Sequence, residues 1–550
     1  MGLDAVVVVP ARDEEERIER CLRALAAQTL APDRFETIVV LDACRDRTAA
    51  VVARVAEELG LRVSTLPGPG KGAGAARRVG MEAACDRLIR AGRPHGLIAC
   101  TDADSRPAPD WIERQLQHVA AGARAIAGFI ELEEDEAARL PGSVRRRREQ
   151  DAEKRLREVR ATDPLAAHHH AAGASLAVTA WTYRRVGGID PLPALEDAGF
   201  AERLADHGVR LLRAADVRVR TSARPDGRVK RGLSVDLAVA SWLERRRYRA
   251  ADFSVQQLLA CKEATTVAVI LPAKECAETI PGVLRETAGP LLEAGLVDEL
   301  VVVDAGSADG TAQAAERCGA RVLQQDRIAS HLGPALGKGD AMWRALQQTD
   351  GEIVCFLDAD TLDPTPAHLL GLLGPLLTEH GVMMVKGAFE RPLRTDSVTL
   401  PAEGGRVTEL MARPLLNMHE PLLAGFGQPL AGEVAARRPL LEALPFPVGY
   451  GVEIAMLIDA LRACGLDALA ECHLGSRQNR HQPLRALGEM AYAVLAAVEN
   501  RQPGRFGAAP GGRYMRPWDD GSLTSVPTAE RPPVNPGGLS EWKRGRIVTA

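Results

Sequence analysis

Ile353-Val354-Cys355-Phe356-Leu357-Asp358-Ala359-Asp360-Thr361 runs five residues of strand character into two carboxylates one residue apart. The apolar run reads as a buried strand of a parallel sheet. The acidic pair then falls at the strand's carboxyl end, where open α/β sheets bind their ligands. Two hard oxygen ligands there suit a divalent cation and leave room for water and substrate phosphate oxygens. An isolated Asp-x-Asp is more often a solvated acidic turn, because short motifs match by chance. This one is not isolated, since Leu97-Ile98-Ala99-Cys100-Thr101-Asp102-Ala103-Asp104-Ser105 repeats it in the first half of the chain.

The surroundings of the two copies repeat as well. Val6-Val7-Val8-Val9-Pro10-Ala11 is an apolar strand closed by proline, and Val269-Ile270-Leu271-Pro272-Ala273 matches it. Ile38-Val39-Val40-Leu41 ends at Asp42, as Leu300-Val301-Val302-Val303 ends at Asp304. Gly70-Lys71-Gly72 matches Gly337-Lys338-Gly339. Pro10 and Pro272 lie 262 residues apart, as do Asp42 and Asp304; the lysines lie 267 apart and Asp102 and Asp358 lie 256 apart. Four features near one offset mark the duplication of a whole domain, with a period far too long for a solenoid. Strands alternating with helices predict an α/β chain of two tandem domains, each a doubly wound, mostly parallel sheet. The expected division is a first domain over 1–232, a helical connector over 233–264, a second domain over 265–503 and a Gly- and Pro-rich tail over 504–550, extended or disordered.

At 550 residues each domain can bury a full core. Hydrophobic residues at 46% and charged residues at 26% are ordinary globular usage. The 69 basic and 73 acidic residues nearly cancel, so charge gives no argument for nucleic acid or for a membrane surface. No apolar run reaches the roughly 18 residues expected of a membrane-spanning helix. Ten cysteines without a Cys-x-x-Cys argue against a zinc or dithiol centre. A large chain of this kind without an export signal is expected in the cytoplasm with reduced thiols.

The repeated unit has a coherent chemistry. A strand-end carboxylate such as Asp42 or Asp304 can accept hydrogen bonds from a base or ribose. A lysine in a glycine turn can meet a phosphate, because glycines let the backbone approach and lysine supplies charge. Asp-x-Asp supplies metal oxygens that neutralise a diphosphate leaving group. Together these describe a site for a nucleoside diphosphate attached to a transferable group. Gly70-Lys71-Gly72 lacks the hydroxyl and spacing of a Walker A loop, and no dinucleotide fingerprint follows the first strand. Pro10-Ala11-Arg12-Asp13 and Pro272-Ala273-Lys274-Glu275 stand where a nucleotidyltransferase would carry a glycine-rich loop. His168-His169-His170 reads as a solvated or acceptor-facing loop, since adjacent side chains point apart and cannot share an ion. The basic run Arg145 to Arg148 reads as the solvated face of a helix.

These motifs resemble GT-A glycosyltransferases in both halves. The first half, through Val9-Pro10-Ala11-Arg12-Asp13-Glu14-Glu15, Asp42, Asp102-Ala103-Asp104 and Glu196-Asp197, is similar to family 2. That resemblance implies a donor site at Pro10, Asp13, Asp42, Lys71 and Asp102, a metal at Asp104, and Glu196 and Asp197 beside the acceptor, with Asp197 the candidate base. The second half resembles the glucosyl-3-phosphoglycerate synthases. The carrying segments are Asp304-Ala305-Gly306-Ser307, Gly337-Lys338-Gly339, Asp358-Ala359-Asp360, Val385-Lys386, Gly404-Gly405-Arg406-Val407-Thr408-Glu409-Leu410, Gln428-Pro429-Leu430-Ala431-Gly432-Glu433 and Gly449-Tyr450-Gly451-Val452-Glu453-Ile454. This resemblance implies transfer of glucose from UDP-glucose to 3-phosphoglycerate with retention, aided by Mg2+ or Mn2+, in a homodimer. It puts the donor on Pro272, Ala273, Glu275, Asp304, Ser307, Lys338, Asp358, Ala359, Tyr450, Gly451 and Val452, with Glu453 the catalytic candidate. Gly405, Arg406, Val407 and Thr408 would hold the acceptor, and Asp360 the metal. Two departures stand out: Glu275-Cys276-Ala277 replaces an acidic run, and the family's metal-binding histidine aligns with Asn479, leaving His481, two residues on, as an alternative ligand or acceptor contact. Another hexose donor, a glycerate-like acceptor, or a non-catalytic second domain are the alternatives these departures leave open.

Overall fold

In the computed structural model the strand β1 (Ala5–Ala11) is flanked on both sides by parallel neighbours, β2 (Phe35–Leu41) and, later in the chain, Leu97–Cys100. The structure describes residues 2–547 except 193–195, 225–231, 392, 395–398, 401–404, 479–482, 503–511 and 519–520. Two compact units divide the chain, Met1–Ser241 and Trp242–Ala550.

In the first unit β3 (Val63–Pro67), β4 (Leu97–Cys100), β5 (Ser105–Pro107), β6 (Ala125–Leu132), β7 (Leu176–Thr179) and β8 (Leu211–Thr221) complete an eight-stranded sheet in the order β3-β2-β1-β4-β7-β6-β8-β5. β7 runs antiparallel between β4 and β6, so the sheet is mixed. Alternation sends Val7 and Val9 into one layer, with Ile18, Leu22 and Trp111, and Val6 and Val8 into the other, with Met81, Leu88 and Phe200. A strand buried on both faces has to be continuously apolar, which the run of four valines supplies. Gly80 permits the close packing of the helix Ala73–Arg90 on the sheet, since a Cβ there would lie 2.4 Å from a Val8 methyl.

The second unit repeats this topology. Its strands follow the order Arg321–Gln324, Glu299–Asp304, Val267–Ala273, Ile353–Phe356, Val434–Arg437, Met384–Glu390, Leu469–Ser476 and Arg247–Arg249. Seven of the eight occupy the places of β3, β2, β1, β4, β7, β6 and β8, with the antiparallel strand again fifth. The edge strand differs. In the first unit β5 follows the acidic pair and runs antiparallel to its neighbour, whereas Arg247–Arg249 comes before every other strand of its sheet and runs parallel. Val267, Val269 and Leu271 face one layer and Ile270 the other. Both units therefore bring the ends of β1 and β4, or their counterparts, to the crevice where the strand order reverses. That crevice is the usual ligand site of such sheets.

Two stretches differ from the sequence expectation. The stretch 233–264, expected as a helical connector, contains the helix Leu233–Arg245, the edge strand and the helix Val255–Lys262. Trp242 explains the difference: it is fully buried and its Nε1 donates to the Leu469 carbonyl at 2.7 Å, so the strand that follows joins the second sheet. The stretch 504–550, expected to be extended or disordered, carries an antiparallel pair, Gly512–Arg516 with Ser522–Val526, and a helix, Gly538–Ile547. Val526 and Leu539 are buried, and Val534 and Trp542 pack on the core, so a few apolar anchors outweigh the Gly- and Pro-rich composition. Among the described residues no helix is long and apolar enough to cross a membrane.

Candidate functional site

The second unit holds a cavity of about 650 Å3 at its sheet's carboxyl edge. Pro272 and Ala273, from the end of Val267–Ala273, form one wall, and Asp358, Ala359 and Asp360 follow Ile353–Phe356 into the floor. The helix Lys338–Leu346 begins at Gly337, whose φ of 128° is open only to glycine, and delivers Lys338 inward from its first position.

Lys338 Nζ donates to Asp358 Oδ1 at 2.5 Å and to Glu453 Oε1 at 2.7 Å. Burial disfavours its charge, but the two carboxylates outweigh that and raise its pKa, keeping the ammonium protonated. For Asp358 burial pushes upward, while Lys338 and then Arg477 hold the carboxyl below its ordinary range. Arg477 is the buried hub of this floor. It donates to Thr361 Oγ1 at 2.7 Å and to Asp358 Oδ2 at 3.3 Å, pairs with Glu433, and lies 5.1 Å from the Phe389 ring centroid. Gly432 gives Asp358 its space, because a Cβ there would sit 2.0 Å from Oδ1. Asp360 is more open: its side chain is 44% exposed and the Arg477 guanidinium is 3.9 Å away. A half-open carboxylate beside a held one fits a divalent cation that keeps water or phosphate ligands. Asn479 and His481, the other expected ligands, lie outside the described residues.

In the same cavity lining Gly405, with φ of 74°, turns the chain into Arg406, Val407 and the helical segment Thr408–Ala412. All four expected acceptor residues line the cavity, as do Tyr450 and Glu453. Gly451 and Val452 sit behind that wall: a Cβ on Gly451 would meet Ala497, and Val452 lies in the core. Asp304, Ser307 and Glu275 form a separate turn. Ser307 N donates to Asp304 at 3.3 Å, Glu275 N donates to Ser307 Oγ at 2.9 Å, and Ala308 N donates to Glu275 Oε1 at 2.9 Å. Lys386 is buried in the same region, where loss of water lowers its pKa to about 8.

The first unit assembles a comparable cluster from different cations. Arg77, on the second turn of Ala73–Arg90, donates to Asp102 and to Glu196, each at 3.0 Å, and to the Gly173 carbonyl at 3.1 Å. Arg77 therefore bridges the first carboxylate of the pair to a later glutamate, as Lys338 does in the second unit. Arg224 pairs with Asp104 at 3.1 Å and with Glu14 at 2.5 Å. Burial, and then Asp102, push Asp104 up to about 7 against the pull of Arg224. Lys71 is exposed and precedes the helix cap Gly72, whereas Lys338 follows the cap Gly337, so the two lysines do not occupy one position. Asp42 accepts from Gly70 N at 2.6 Å and Gly72 N at 3.1 Å, tying the glycine turn to the end of β2. Pro10 pairs with Val40 in β1, Asp13 accepts from Arg45 N at 2.6 Å, and Asp197 accepts from Gly173 N at 3.0 Å. Arg77, Arg224 and Arg477 escaped the sequence reading. A buried arginine has no periodicity of its own, and its meaning comes from carboxylates far along the chain.

Residues 6–178 and 268–399, more than half of the chain, match the sequence model of the family described as glycosyl transferase family 2. A glucosyl-3-phosphoglycerate synthase of Mycolicibacterium smegmatis is 42% identical over 299 residues, 53% of this chain and 97% of that protein. The enzyme of that name from Petrotoga mobilis is 37% identical over 262 residues, covering 47% of this chain and 81% of its own. A crystal structure of the Mycobacterium tuberculosis glucosyl-3-phosphoglycerate synthase with Mn2+, UDP and phosphoglyceric acid is 41% identical; the match covers 51% of this chain and 94% of that one, with a TM-score of 0.46.

Proposed function

The chain belongs to glycosyl transferase family 2, and from that premise we propose that its second unit transfers glucose from UDP-glucose to 3-phosphoglycerate. The observation that carries the reading is one cavity lined both by Lys338, Asp358 and Glu453, which are joined by ion pairs, and by Gly405 to Thr408. Identity of 42% over 97% of a synthase of that name supports it.

In this reading Pro272, Ala273 and the Asp304–Ser307 turn frame the nucleoside. Lys338, held protonated by its two carboxylates, meets the diphosphate. Tyr450 and Glu453 face the donor sugar. Glu453 is the catalytic candidate, since a buried anion beside the sugar opposes the positive charge that develops as the glycosidic bond breaks. Arg406 and the backbone N–H groups of the turn at Gly405 suit the phosphate and carboxylate of a three-carbon acid. Asp360 would hold Mg2+ or Mn2+, which when bound neutralises charge on the departing diphosphate, with Asp358 on the donor side beside it. The first unit is read as a second transferase site of unassigned acceptor, with Asp197 its candidate base. The transferase domains are taken as 1–232 and 265–503, and the reaction is placed in the cytoplasm.

A screen tests the reading directly. The full chain is given UDP-glucose or GDP-mannose with 3-phosphoglycerate or glycerate, with Mn2+ or with a chelator, and product mass and anomeric configuration are measured. A retained glucosyl-3-phosphoglycerate that needs metal is expected. Product only from GDP-mannose would reassign the donor, and no product with 3-phosphoglycerate would sink the acceptor.

A further inference from the structure

We propose that the segment 526–532 is a working wall of the second unit's donor pocket, and that Arg531 is a positioning residue for Lys338. This rests on the reading of that cavity as a nucleotide-sugar site. Val526 and Pro527 line the cavity beside Gly449 and Tyr450, and a Cβ on Gly449 would stand 3.2 Å from the Pro527 carbonyl. From there the segment pairs antiparallel with the strip that supports the lysine helix: Val448 N donates to the Ala529 carbonyl at 3.0 Å, and Phe446 and Pro447 register with Arg531 and Glu530. The helix start is pressed onto the same strip. A Cβ on Gly339 would lie 1.9 Å from the Pro447 carbonyl, and one on Gly337 would lie 2.9 Å from that of Val448. The strip is thus sandwiched between the C-terminal segment and the turn that carries Lys338.

Charge ties the layers together. Asp340, two residues beyond Lys338, is fully buried. Its Oδ2 accepts from Leu336 N at 3.0 Å, Gln325 Nε2 at 3.0 Å and Arg344 Nε at 2.9 Å. Gln325, Leu336 and Gly337 all line the cavity, and Gln325 also donates to the Gly337 carbonyl. Asp340 therefore fixes the rim from which Lys338 emerges. Its other oxygen, Oδ1, accepts from Arg531 Nε at 2.7 Å. Arg531 is held in turn by the Leu332 carbonyl at 3.0 Å and lies 5.5 Å from the Trp343 ring centroid, while Trp343 Nε1 donates to the Pro532 carbonyl at 2.8 Å. A buried carboxylate that loses one charged partner turns toward the donors that remain. Here those donors all sit on Oδ2, so losing Arg531 rotates Asp340 and shifts the rim and the first turn of the helix. Lys338 has to reach two carboxylates at once, so its placement is sensitive to that shift.

The bland alternative is that this segment only anchors the C-terminus. Steady-state kinetics on the full chain separates the two, with UDP-glucose and 3-phosphoglycerate varied independently at fixed Mn2+ and thermal unfolding measured alongside. Arg531→Ala and Arg531→Lys are compared with Leu539→Ala, which loosens the C-terminal helix at a buried core position without touching Asp340. Arg531→Ala is expected to raise the donor KM about tenfold and leave the acceptor KM within about twofold. Arg531→Lys should recover part of this, because a point charge replaces a fork. Leu539→Ala should lower Tm and leave the donor KM unmoved. A donor KM unchanged in Arg531→Ala, or raised equally by Leu539→Ala, overturns the positioning role. If Arg531→Ala fails to fold, an unchanged donor KM in Arg531→Lys overturns it. An unaltered protein that makes no glucosylated product overturns the reading of the cavity, and the proposal with it.

Discussion

Asp358 and Asp360 are one residue apart and differ in what surrounds them. Asp358 is held by Lys338 and Arg477, whereas Asp360 has a 44% exposed side chain at the cavity floor. Asp360→Asn should therefore abolish metal-dependent transfer by the second unit and leave its unfolding transition in place. The loss in metal affinity should exceed the roughly tenfold to hundredfold that removal of an outer-shell partner costs. Unchanged Mn2+ titration of activity would remove Asp360 from the ligand set. Arg406 makes a contrasting prediction. A bidentate guanidinium contact to phosphate or carboxylate contributes about 1.5–3 kcal/mol, so Arg406→Ala should weaken acceptor use by roughly ten- to a hundredfold. Lysine should restore only part, and the UDP-glucose KM should stay put; a rise in the donor KM alone would place Arg406 on the nucleotide side. At this scale the sequence displayed the groups that stand in local patterns, such as Asp-x-Asp and the turn before Arg406. It hid those that act through distant partners: Arg477 meets carboxylates 119 and 44 residues away, and Arg77 joins Asp102 to Glu196.

Among elements, the strands were the most legible, because a strand buried on both faces must be apolar throughout, as Val6 to Val9 and Leu300 to Val303 are. The short pieces after residue 504 were not, since their burial depends on a few anchors scattered through a polar, Gly- and Pro-rich text. Helix starts were legible as glycine turns, but which residue follows the cap was not, which is why Lys71 and Lys338 part company. Gly339 shows how tightly one such start is packed. Alanine in place of glycine inside a helix ordinarily stabilises by about 0.5–1 kcal/mol. Against this, overpacking costs about 1–3 kcal/mol, and the atom met here is the Pro447 carbonyl, which cannot swing aside as a side chain can. Gly339→Ala should thus lower the Tm and raise the donor KM together; a more stable variant with an unchanged KM would show that the strip yields. The helix Pro366–Thr378 carries a different test. Burial, and then Arg477, lower His368 to about 4 from the ordinary 6.5, opposed by Asp363. Its neutral form is native, so the unfolded state binds the extra proton between those values. Its contribution is whole above the ordinary value and is lost as pH falls toward the native one. Denaturant midpoints measured across that window should fall with acidification, and less steeply in His368→Gln; equal slopes would exclude this histidine as a cause.

At the scale of the whole molecule the duplication was readable as four motifs at nearly one spacing, and the strand orders of the two sheets agree in seven places of eight. What the spacing could not carry is the change of cation between the copies. In one unit a lysine at the first helical position bridges Asp358 and Glu453; in the other an arginine one turn later bridges Asp102 and Glu196. The arginine reaches from further along its helix because its side chain is longer and its fork can meet two carboxylates and a carbonyl together. A cation bridging two such carboxylates in each unit is the reason to test the first unit for a second ligand site. The expectation follows in an Asp360→Asn, Lys338→Ala background, where the second unit has lost both its metal ligand and its diphosphate contact. The full chain should still bind a nucleoside-diphosphate sugar from a broad donor panel by calorimetry, and Arg77→Ala should abolish that binding. The same variant leaves two carboxylates without their shared cation. One of them is buried, and breaking such a pair typically costs about 3–5 kcal/mol. Arg77→Ala should therefore also lower the first unit's unfolding transition, and Arg77→Lys is the decisive comparison. Lysine keeps the charge and much of the stability but cannot span both carboxylates and the Gly173 carbonyl. Stability regained with binding still lost assigns Arg77 to the ligand site. Stability and binding regained together assign it a role any cation can fill, and no donor bound by the Arg77 parent makes the first unit structural.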